Sequence, residues 1–261
     1  MKLSCALVAC NENSHYLDFW PAVKRAWWEI VGIPCIMVYI GDELPPSLQG
    51  DPAVMLFKPI PGWPTATQAQ CIRLLYPALL SGDGAVIISD MDMVPLQKDF
   101  FVKTIENNTE DQFVSYREPV EGNQLFMCYV AALPRVWGEV FKIQSLEDIY
   151  KRFNEWSHEN PADGLHGGEG WCSDQEILFK QVMMFQENSS NRVVIYPCPY
   201  KHVCPRPDRL DRCKPHEWII LRESTRTNLD KNVYVDFHMP PYAPYRSQIE
   251  NIIDYASIHR D

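Results

Sequence analysis

Short apolar runs alternate with segments of helical spacing through the first part of the chain. The runs SCALVAC, IPCIMVYI, AVMLF and AVIIS each read as a buried strand, because they are short, almost wholly apolar and followed by polar or turn-forming residues. Residues 19–31 and 67–80 carry their apolar side chains on one face of a helix. The order strand, helix, strand, strand, helix, strand predicts an α/β fold whose mixed, mostly parallel central sheet is flanked by helices.

The second half of the chain is less regular. Residues 145–156, 173–185 and 247–259 predict helices, while QFVSYR, QLFMCYVAAL, RVVIYP and NVYVDFHMPPY read as strands. The first of these helices opens with SLED, whose serine and aspartate have the spacing of a capping box. No repeat, low-complexity tract or linker is evident, so a single domain over residues 1–261 is expected.

The charge, the apolar stretches and the cysteines of the chain bear on its partners and its cellular compartment. The chain has 34 acidic and 24 basic side chains and a formal net charge of −10, whereas a broad contact with nucleic acid needs a basic face. No apolar stretch reaches membrane-spanning length, and the N-terminal MKLSCALVACNENS lacks a cleavage pattern. The nine cysteines are scattered, and without a secretion signal reduced thiols in the cytoplasm are expected.

Two aspartates follow the fourth predicted strand, in the stretch VIISDMDMVPL. On an extended chain Asp90 and Asp92 point to one side, where repulsion and desolvation oppose two like charges. A divalent cation with open positions would offset both charges and hold a diphosphate, while a solvated turn with two capping aspartates is the alternative for the tripeptide alone. Ligands of α/β sheets bind at the carboxyl ends of strands, so this loop and the loop NENSHY should meet at one crevice.

A buried strand followed by DMDMVPL resembles the DxD motif of GT-A fold glycosyltransferases. The resemblance implies a GT-A-like, Rossmann-type sheet, with residues 1–97 as the nucleotide-binding half and residues 98–261 as the acceptor-binding half. It implies a nucleotide-sugar donor, with a UDP-sugar favoured, a glycan or other hydroxyl acceptor, and Mn²⁺ or Mg²⁺ bridging the diphosphate. By the family pattern Asp92 ligates the metal directly and Asp90 lies near the ribose and the metal.

The same resemblance implies further residues that contact the donor or its metal. GT-A enzymes often carry a basic residue on the helix before the DxD strand, and Arg73 fits that position, with a solvated helix arginine as the alternative. Asn11 and Tyr16 follow the first strand, where such enzymes bind the base of the nucleotide. It is equally open that Asn11 is a helix N-cap and that Tyr16 is an aromatic residue of the core. His238, two residues after Asp236, matches the histidine that frequently supplies a third metal ligand.

The stretch GGEGWCSDQEIL is the candidate for the acceptor side. Ser173 and Glu176 have capping-box spacing, which places Asp174 and its neighbour glutamine in the first helical turn. Glycosyltransferases often present an acidic residue here toward the acceptor hydroxyl, and in inverting enzymes it is the general base. Asp174 is therefore the predicted base and Glu169 its rival, although a helix N-terminus lowers the pKa of a carboxylate. With no obvious nucleophile beneath the sugar, inversion is favoured. Trp171 can stack on a sugar or pack in the core.

The stretch 198–218 is basic and rich in cysteine. Arg206, Arg209 and Arg212 could meet a diphosphate or an anionic acceptor, while internal neutralisation by Asp208 and Asp211 is the slightly favoured reading. Residue types that ligate zinc also gather here, but without paired C-x₂-C spacing, so zinc is a minor reading. They are Cys198, His202, Cys204, Cys213 and His216.

Other functions remain open at this point. DMDMV also fits the motif of haloacid-dehalogenase-like phosphatases, in which Asp90 would attack phosphorus, although that family usually carries the motif on its first strand and no later Asp–Asp pair is evident. A sugar-binding module would bind glycans without metal-dependent affinity for nucleotides. A nucleotidyltransferase usually shows a Gly-rich, basic loop after the first strand, and NENSHY is neither.

Overall fold

Strands form two sheets in the computed structural model, which describes residues 1–119, 123–198 and 206–258. The strands, in chain order, are β1 (Leu3–Cys10), β2 (Cys35–Ile40), β3 (Val54–Phe57), β4 (Ala85–Ile88), β5 (Met93–Pro95), β6 (Phe113–Ser115), β7 (Val130–Ala132), β8 (Val193–Ile195), β9 (Arg209–Asp211) and β10 (Asp236–His238). The helices are α1 (Ser14–Leu17), α2 (Trp20–Ala26), α3 (Thr65–Leu75), α4 (Lys98–Glu106), α5 (Pro134–Phe141), α6 (Leu146–Glu159), α7 (Ser173–Asn188), α8 (Pro215–Trp218), α9 (Glu223–Asp230) and α10 (Tyr242–Ile258). None of the helices in the described ranges combines the length and the apolarity that crossing a bilayer requires.

The main sheet has the strand order β3-β2-β1-β4-β7-β6-β8. β1 pairs in parallel with β2 and β4, and β2 with β3, whereas β7 lies antiparallel to both β4 and β6. β6 and β8 are again parallel. These pairings confirm the prediction of an α/β fold with a mixed, mostly parallel central sheet. The central strands are apolar along their length because α2 and α3 pack against the sheet and keep side chains such as Leu7, Val8 and Ile87 from water.

Most of the predicted regular elements are present. The helix predicted over residues 19–31 is α2 followed by a π-helical turn, Trp27–Val31, which ends at Gly32 with a φ of 85° that favours glycine. The helix predicted over residues 67–80 is α3 followed by the 3₁₀ turn Tyr76–Leu79. Strands recur at the predicted apolar runs because each run is buried within the sheet.

Two local predictions are wrong. The run QLFMCYVAAL is not one continuous strand, since only Val130–Ala132 pairs within the sheet. Ser173 does not cap α7, because Cys172 precedes the helix and its carbonyl already accepts from the backbone amides of Gln175 and Glu176. In α6, by contrast, the serine and the aspartate of SLED form the predicted capping box.

The smaller sheet has the order β5-β10-β9 and was not predicted. The chain leaves the main sheet after β4, and β5 then pairs antiparallel with β10, which runs parallel to β9. The backbone amide of Met239 donates to the carbonyl of Asp92 at 2.8 Å, which fastens the end of β10 to the loop after β4. The late, irregular part of the chain is thereby placed beside the DMD loop.

The strand order of the main sheet reverses between β1 and β4. From β1 the sheet continues to β2 and β3 on one side, and β4 opens the other side. The loops that follow β1 and β4 therefore diverge at the carboxyl ends of the strands and leave a crevice, the position where open α/β sheets bind ligands. The loop NENSHY and the DMD loop are these two segments, as predicted.

Candidate active site

A cavity of about 680 Å³ opens at this crevice. It is lined by the loops after β1 and β4, by one side of α3, by the start of α7 and by the small sheet. Its volume is that of a site for a ligand of nucleotide size. Seven of the eight predicted catalytic, donor-binding and metal-binding residues line it: Asn11, Tyr16, Arg73, Asp90, Asp92, Asp174 and His238.

Arg73 connects the DMD loop to α7. It is 5% exposed, and its Nη1 donates to the Ser89 carbonyl at 3.1 Å and to the Asp90 carboxylate. Its Nη2 donates to Asp174 Oδ2 at 2.8 Å. The second oxygen of Asp90 accepts from the Cys128 thiol. Arg73 therefore bonds Asp90 and is not a solvated helix arginine, while its role toward a donor stays a prediction.

Asp174 is a buried carboxylate, and Arg73, the cation that pairs with it among the described residues, also pairs with Asp90. Burial raises the pKa of Asp174 to about 6, although Arg73 favours the charged form, because Arg73 also serves Asp90. Its Oδ1 accepts from the backbone amide of Gln175 at 2.8 Å. Gln175 itself lines the cavity beside Asp174, and its side chain has no hydrogen bond to any described residue.

Glu169 lies elsewhere. Its side chain is exposed and borders a small cleft that adjoins the large cavity, but it does not line the large cavity itself. The loop is held by Asp163, whose carboxylate accepts from the backbone amides of Leu165 and Glu169. Of the two predicted bases, only Asp174 is thus placed at the crevice.

Asp92 and His238 touch at the end of the small sheet. Asp92 Oδ2 lies 3.2 Å from His238 Nε2 and 3.0 Å from Arg212 Nη1. The other ring nitrogen of His238 lies 3.2 Å from Asp211 Oδ2. Burial disfavours the imidazolium, but the hydrogen bonds with Asp211 and Asp92 outweigh burial and raise the pKa of His238 to about 9. Asp92, in turn, has a lowered pKa despite its burial, because His238 and Arg212 favour its carboxylate.

The Asp92–His238 pair fits part of a divalent-metal site. One carboxylate oxygen and one imidazole nitrogen converge, and the Asp211 carboxylate contacts the other ring nitrogen of His238, as carboxylates that orient a metal-binding histidine do. No group of three or more histidine, cysteine, aspartate or glutamate side chains gathers as a metal site among the residues described. The carboxylate of Asp90 is directed at Arg73 and Cys128 instead, so its role as a metal ligand stays a prediction.

Asn11 and Tyr16 line the cavity from the segment after β1. Asn11 is buried, its amide nitrogen donates to Thr65 Oγ1 at 3.0 Å, and its amide oxygen accepts from the backbone amide of Asn13. The Tyr16 hydroxyl lies 3.3 Å from His166 Nδ1, and the ring of His166 packs on that of Trp171 with centroids 4.3 Å apart. These rings line the cavity, so Trp171 belongs to its aromatic wall and not to the hydrophobic core.

The three arginines of residues 206–212 divide into two groups by the carboxylate that they contact. Arg212 contacts Asp92, whereas Arg209 donates to both oxygens of Asp236 at 2.7 and 3.0 Å. Arg117 and Arg206 lie within ion-pair distance of the same buried carboxylate. Burial opposes the charge of Asp236, but these arginines lower its pKa to about 2. The slightly favoured prediction, that aspartates of this protein neutralise the arginines, therefore holds for Arg209. Its partner is Asp236, however, and not Asp208 or Asp211.

The sequence-based analysis missed several residues of the cavity. Cys128 and His166 line it from segments that are irregular in the structure, and the apolar run that holds Cys128 does not indicate which of its side chains turns toward the cavity. The zinc reading gains no support from the described residues: Cys198 lies against Arg117, Cys213 lines the cavity and His216 lies beside Glu217. His202 and Cys204 fall outside the described residues.

No protein-family model matches the chain, and no curated protein matches it. Among solved structures, the chain is similar to the galactosyltransferase LgtC in complex with donor and acceptor sugar analogues, with a TM-score of 0.47 and 13% identity over 97% of this chain and 95% of that one. It is similar to the glycosyltransferase GlyE of Streptococcus pneumoniae TIGR4, with a TM-score of 0.45 and 11% identity over 98% of this chain, and it spans 60% of the GlyE chain. A Drosophila β-1,4-galactosyltransferase 7 mutant in complex with manganese, UDP-Gal and xylobiose matches with a TM-score of 0.38 and 11% identity, over 74% of this chain and 64% of that one.

Proposed function

We propose that the protein is a glycosyltransferase that moves a sugar from a nucleotide-diphosphate donor, with a UDP-sugar favoured, to a hydroxyl acceptor. The observation that carries the proposal is the contact between Asp92 and His238, backed by Asp211, at the reversal point of an α/β sheet. A carboxylate and an imidazole that meet in a nucleotide-sized cavity suit a divalent cation. Arg212, which bonds Asp92, suits the diphosphate that the cation would bind.

Mn²⁺ or Mg²⁺ would be held by Asp92 and His238, with Asp90 as a further candidate. When bound, the cation would act as a Lewis acid that offsets the charge growing on the leaving nucleotide diphosphate. Mn²⁺ is favoured over Mg²⁺, because an imidazole nitrogen suits Mn²⁺ better than the oxygen-preferring Mg²⁺. Arg212, now bound to Asp92, is close enough to the pair to donate to a phosphate oxygen.

Asn11 and Tyr16, which line the cavity from the segment after β1, would receive the nucleoside. The pyrimidine ring would stack against Tyr16, whose ring is partly exposed beside His166. Asn11 is already held by Thr65 and the backbone of Asn13, so its side chain is fixed before any ligand arrives. A fixed amide loses little entropy on binding, which favours recognition of one base over another.

Asp174 and Gln175 would face the acceptor. A carboxylate with a pKa of about 6 is a suitable general base near neutral pH, which supports the inverting course. However, Arg73 and the backbone amide of Gln175 each bond one oxygen of Asp174. We therefore propose that Asp174 accepts the proton of the acceptor hydroxyl only after one of these bonds is exchanged, and that Gln175 orients the hydroxyl.

The phosphatase reading is not favoured. An attacking aspartate needs a free oxygen, but one oxygen of Asp90 accepts from Arg73 and the other from Cys128. The motif also follows the fourth strand along the chain and not the first. A sugar-binding module is distinguished from an enzyme by the experiment that follows, because only the enzyme needs the nucleotide and the cation together.

Thermal unfolding with a panel of UDP, GDP, CDP and ADP, each with and without Mn²⁺, tests the proposal. Binding to the folded state alone stabilises it by about 2.7 kcal/mol at one hundred times the dissociation constant. We expect the melting temperature to rise only when nucleotide and Mn²⁺ are both present, and most with UDP. Asp92→Asn should abolish the rise, while Asp99→Asn, which removes an equal charge from the exposed face of α4, should keep it. A full rise in Asp92→Asn would refute the proposal.

A further inference from the structure

An arginine cluster lies beside the small sheet, and two of its members line the cavity. It comprises Arg117, Arg206 and Arg209 around Asp208 and Asp236. Three guanidinium groups face two carboxylates, so one positive charge is in excess. Arg206 and Arg209 line the cavity, whereas Asp236 is fully buried behind them. The face that a ligand meets is therefore cationic.

Arg206 is the member of the cluster with the fewest bonds. Its side chain is 8% exposed, and it lies 3.4 Å from Asp208 and 3.5 Å from Asp236 without hydrogen-bonding to either. Its buried Nε and Nη2 have no hydrogen-bond partner among the described residues. Burial and the neighbouring charges of Arg209 and Arg117 lower the pKa of Arg206 even though two carboxylates oppose that change. The charge of Asp236 is compensated without Arg206, because Arg209 donates to both of its carboxylate oxygens.

The cluster lies apart from the Asp92–His238 pair. Asp236 and His238 are two residues apart on β10 and point to the same side, which separates them by about 7 Å along the strand. Arg209 and Asp211 are separated in the same way on the adjacent β9, with Asp236 beside Arg209 and His238 beside Asp211. A diphosphate at the Asp92–His238 pair already has Arg212 beside it. The arginine cluster is therefore placed to meet a different anionic group.

We infer that the arginine cluster is a subsite for an oxyanion, a carboxylate or a phosphate, carried by one of the two sugar substrates. The inference rests on the proposed function and narrows its substrate class to acidic sugars. An oxyanion would offset the excess positive charge and accept from Arg206, whose planar fork holds its buried Nε and Nη2 beside Asp208 and Asp236 and leaves Nη1 for a ligand. The group can belong to the transferred sugar, as in a uronate donor, or to the acceptor.

Calorimetric titration with two arms separates these sources. The donor arm compares UDP-glucuronate with UDP-glucose in the presence of Mn²⁺. The acceptor arm compares methyl glucuronide and glucose 6-phosphate with methyl glucoside, each added to protein saturated with Mn²⁺ and UDP. We expect the acidic ligand to bind about tenfold or more tightly than the neutral one in one arm, because a charge-assisted hydrogen bond in a buried site contributes on that scale.

Arg206→Gln should remove the preference and leave binding of UDP with Mn²⁺ unchanged. Arg135→Gln removes the same charge from an exposed position on α5 and should keep the preference. Arg206→Lys keeps the charge without the fork and should show an intermediate preference, which supplies the test if Arg206→Gln fails to fold. Binding of UDP with Mn²⁺ but no preference for acidic sugars in either arm would overturn the inference alone. Absence of UDP binding would overturn the proposed function as well.

Discussion

Arg73 is one cation serving two carboxylates. Its guanidinium bonds Asp90 on the DMD loop and Asp174 at the start of α7, and it is almost fully buried. One positive charge cannot compensate two negative ones, so the charged form of the more deeply buried carboxylate, that of Asp174, is disfavoured. The raised pKa of Asp174 is the consequence, and it couples the acceptor side of the cavity to the DMD loop.

The pH dependence of stability should report the charge on Asp174. Its pKa is about 6 in the folded state against an ordinary value of 3.8, so the folded protein binds more protons than the unfolded chain between these values. By linkage, the contribution of Asp174 is favourable at low pH, declines as the pH rises from about 4 to about 6, and is constant above that. A shift of this size corresponds to about 3 kcal/mol at most.

Asp174→Asn should therefore gain stability relative to the wild type as the pH rises through this window. Urea unfolding at a series of pH values measures the difference, and Asp18→Asn, an exposed substitution of the same kind, is the control. An equal difference between Asp174→Asn and wild type at about pH 4 and about pH 7 would show that the carboxyl of Asp174 titrates normally.

At the scale of elements, length and periodicity decide what the sequence can predict. The strands of the parallel half and the helices α3, α6, α7 and α10 carry regular apolar patterns, and they occur where the pattern indicates. β5 and β9 have three residues each, too few for a period to be recognised, whereas β10 lies within the predicted strand NVYVDFHMPPY. Their pairing depends on contacts between distant parts of the chain, so the small sheet could not be predicted.

Two serines with the same spacing should respond differently to alanine. Ser145 Oγ accepts from the backbone amide of Asp148, whose carboxylate accepts from the backbone amide of Ser145. Ser145→Ala should destabilise the protein by about 1 kcal/mol, as loss of an N-cap does. Ser173→Ala should cost less than about 0.5 kcal/mol, because Ser173 lies inside α7 and caps no helix amide.

Chemical denaturation of the two alanine variants measures this contrast, with an unchanged m-value as the sign that the transition is comparable. Ser145→Thr keeps the acceptor oxygen and should restore most of the loss. A cost for Ser173→Ala as large as that for Ser145→Ala would mean that the start of α7 differs from the one described.

At the scale of the whole molecule, the cavity is made by two sheets that meet at the DMD loop. Asp90, Asp92, Asn11 and Tyr16 could be located from the sequence because a parallel sheet brings the carboxyl ends of its strands together. His238 was located by its place in the family pattern. Cys128 and His166 could not be, because only the packing of irregular segments brings them to the cavity.

Ligand binding should therefore restrain both sheets where they meet. β10 is tied to the DMD loop by the bond from Met239 to Asp92, so a ligand held by Asp92 and His238 bridges segments 89–93 and 236–239. In hydrogen exchange with Mn²⁺ and UDP, amides that exchange by local opening should slow in these two segments and stay unchanged in α6 and α10. Amides that exchange by global unfolding should slow everywhere by one factor, about one hundred at one hundred times the dissociation constant. Asp92→Asn should lose both effects, and local slowing confined to α6 or α10 would place the ligand away from this cavity.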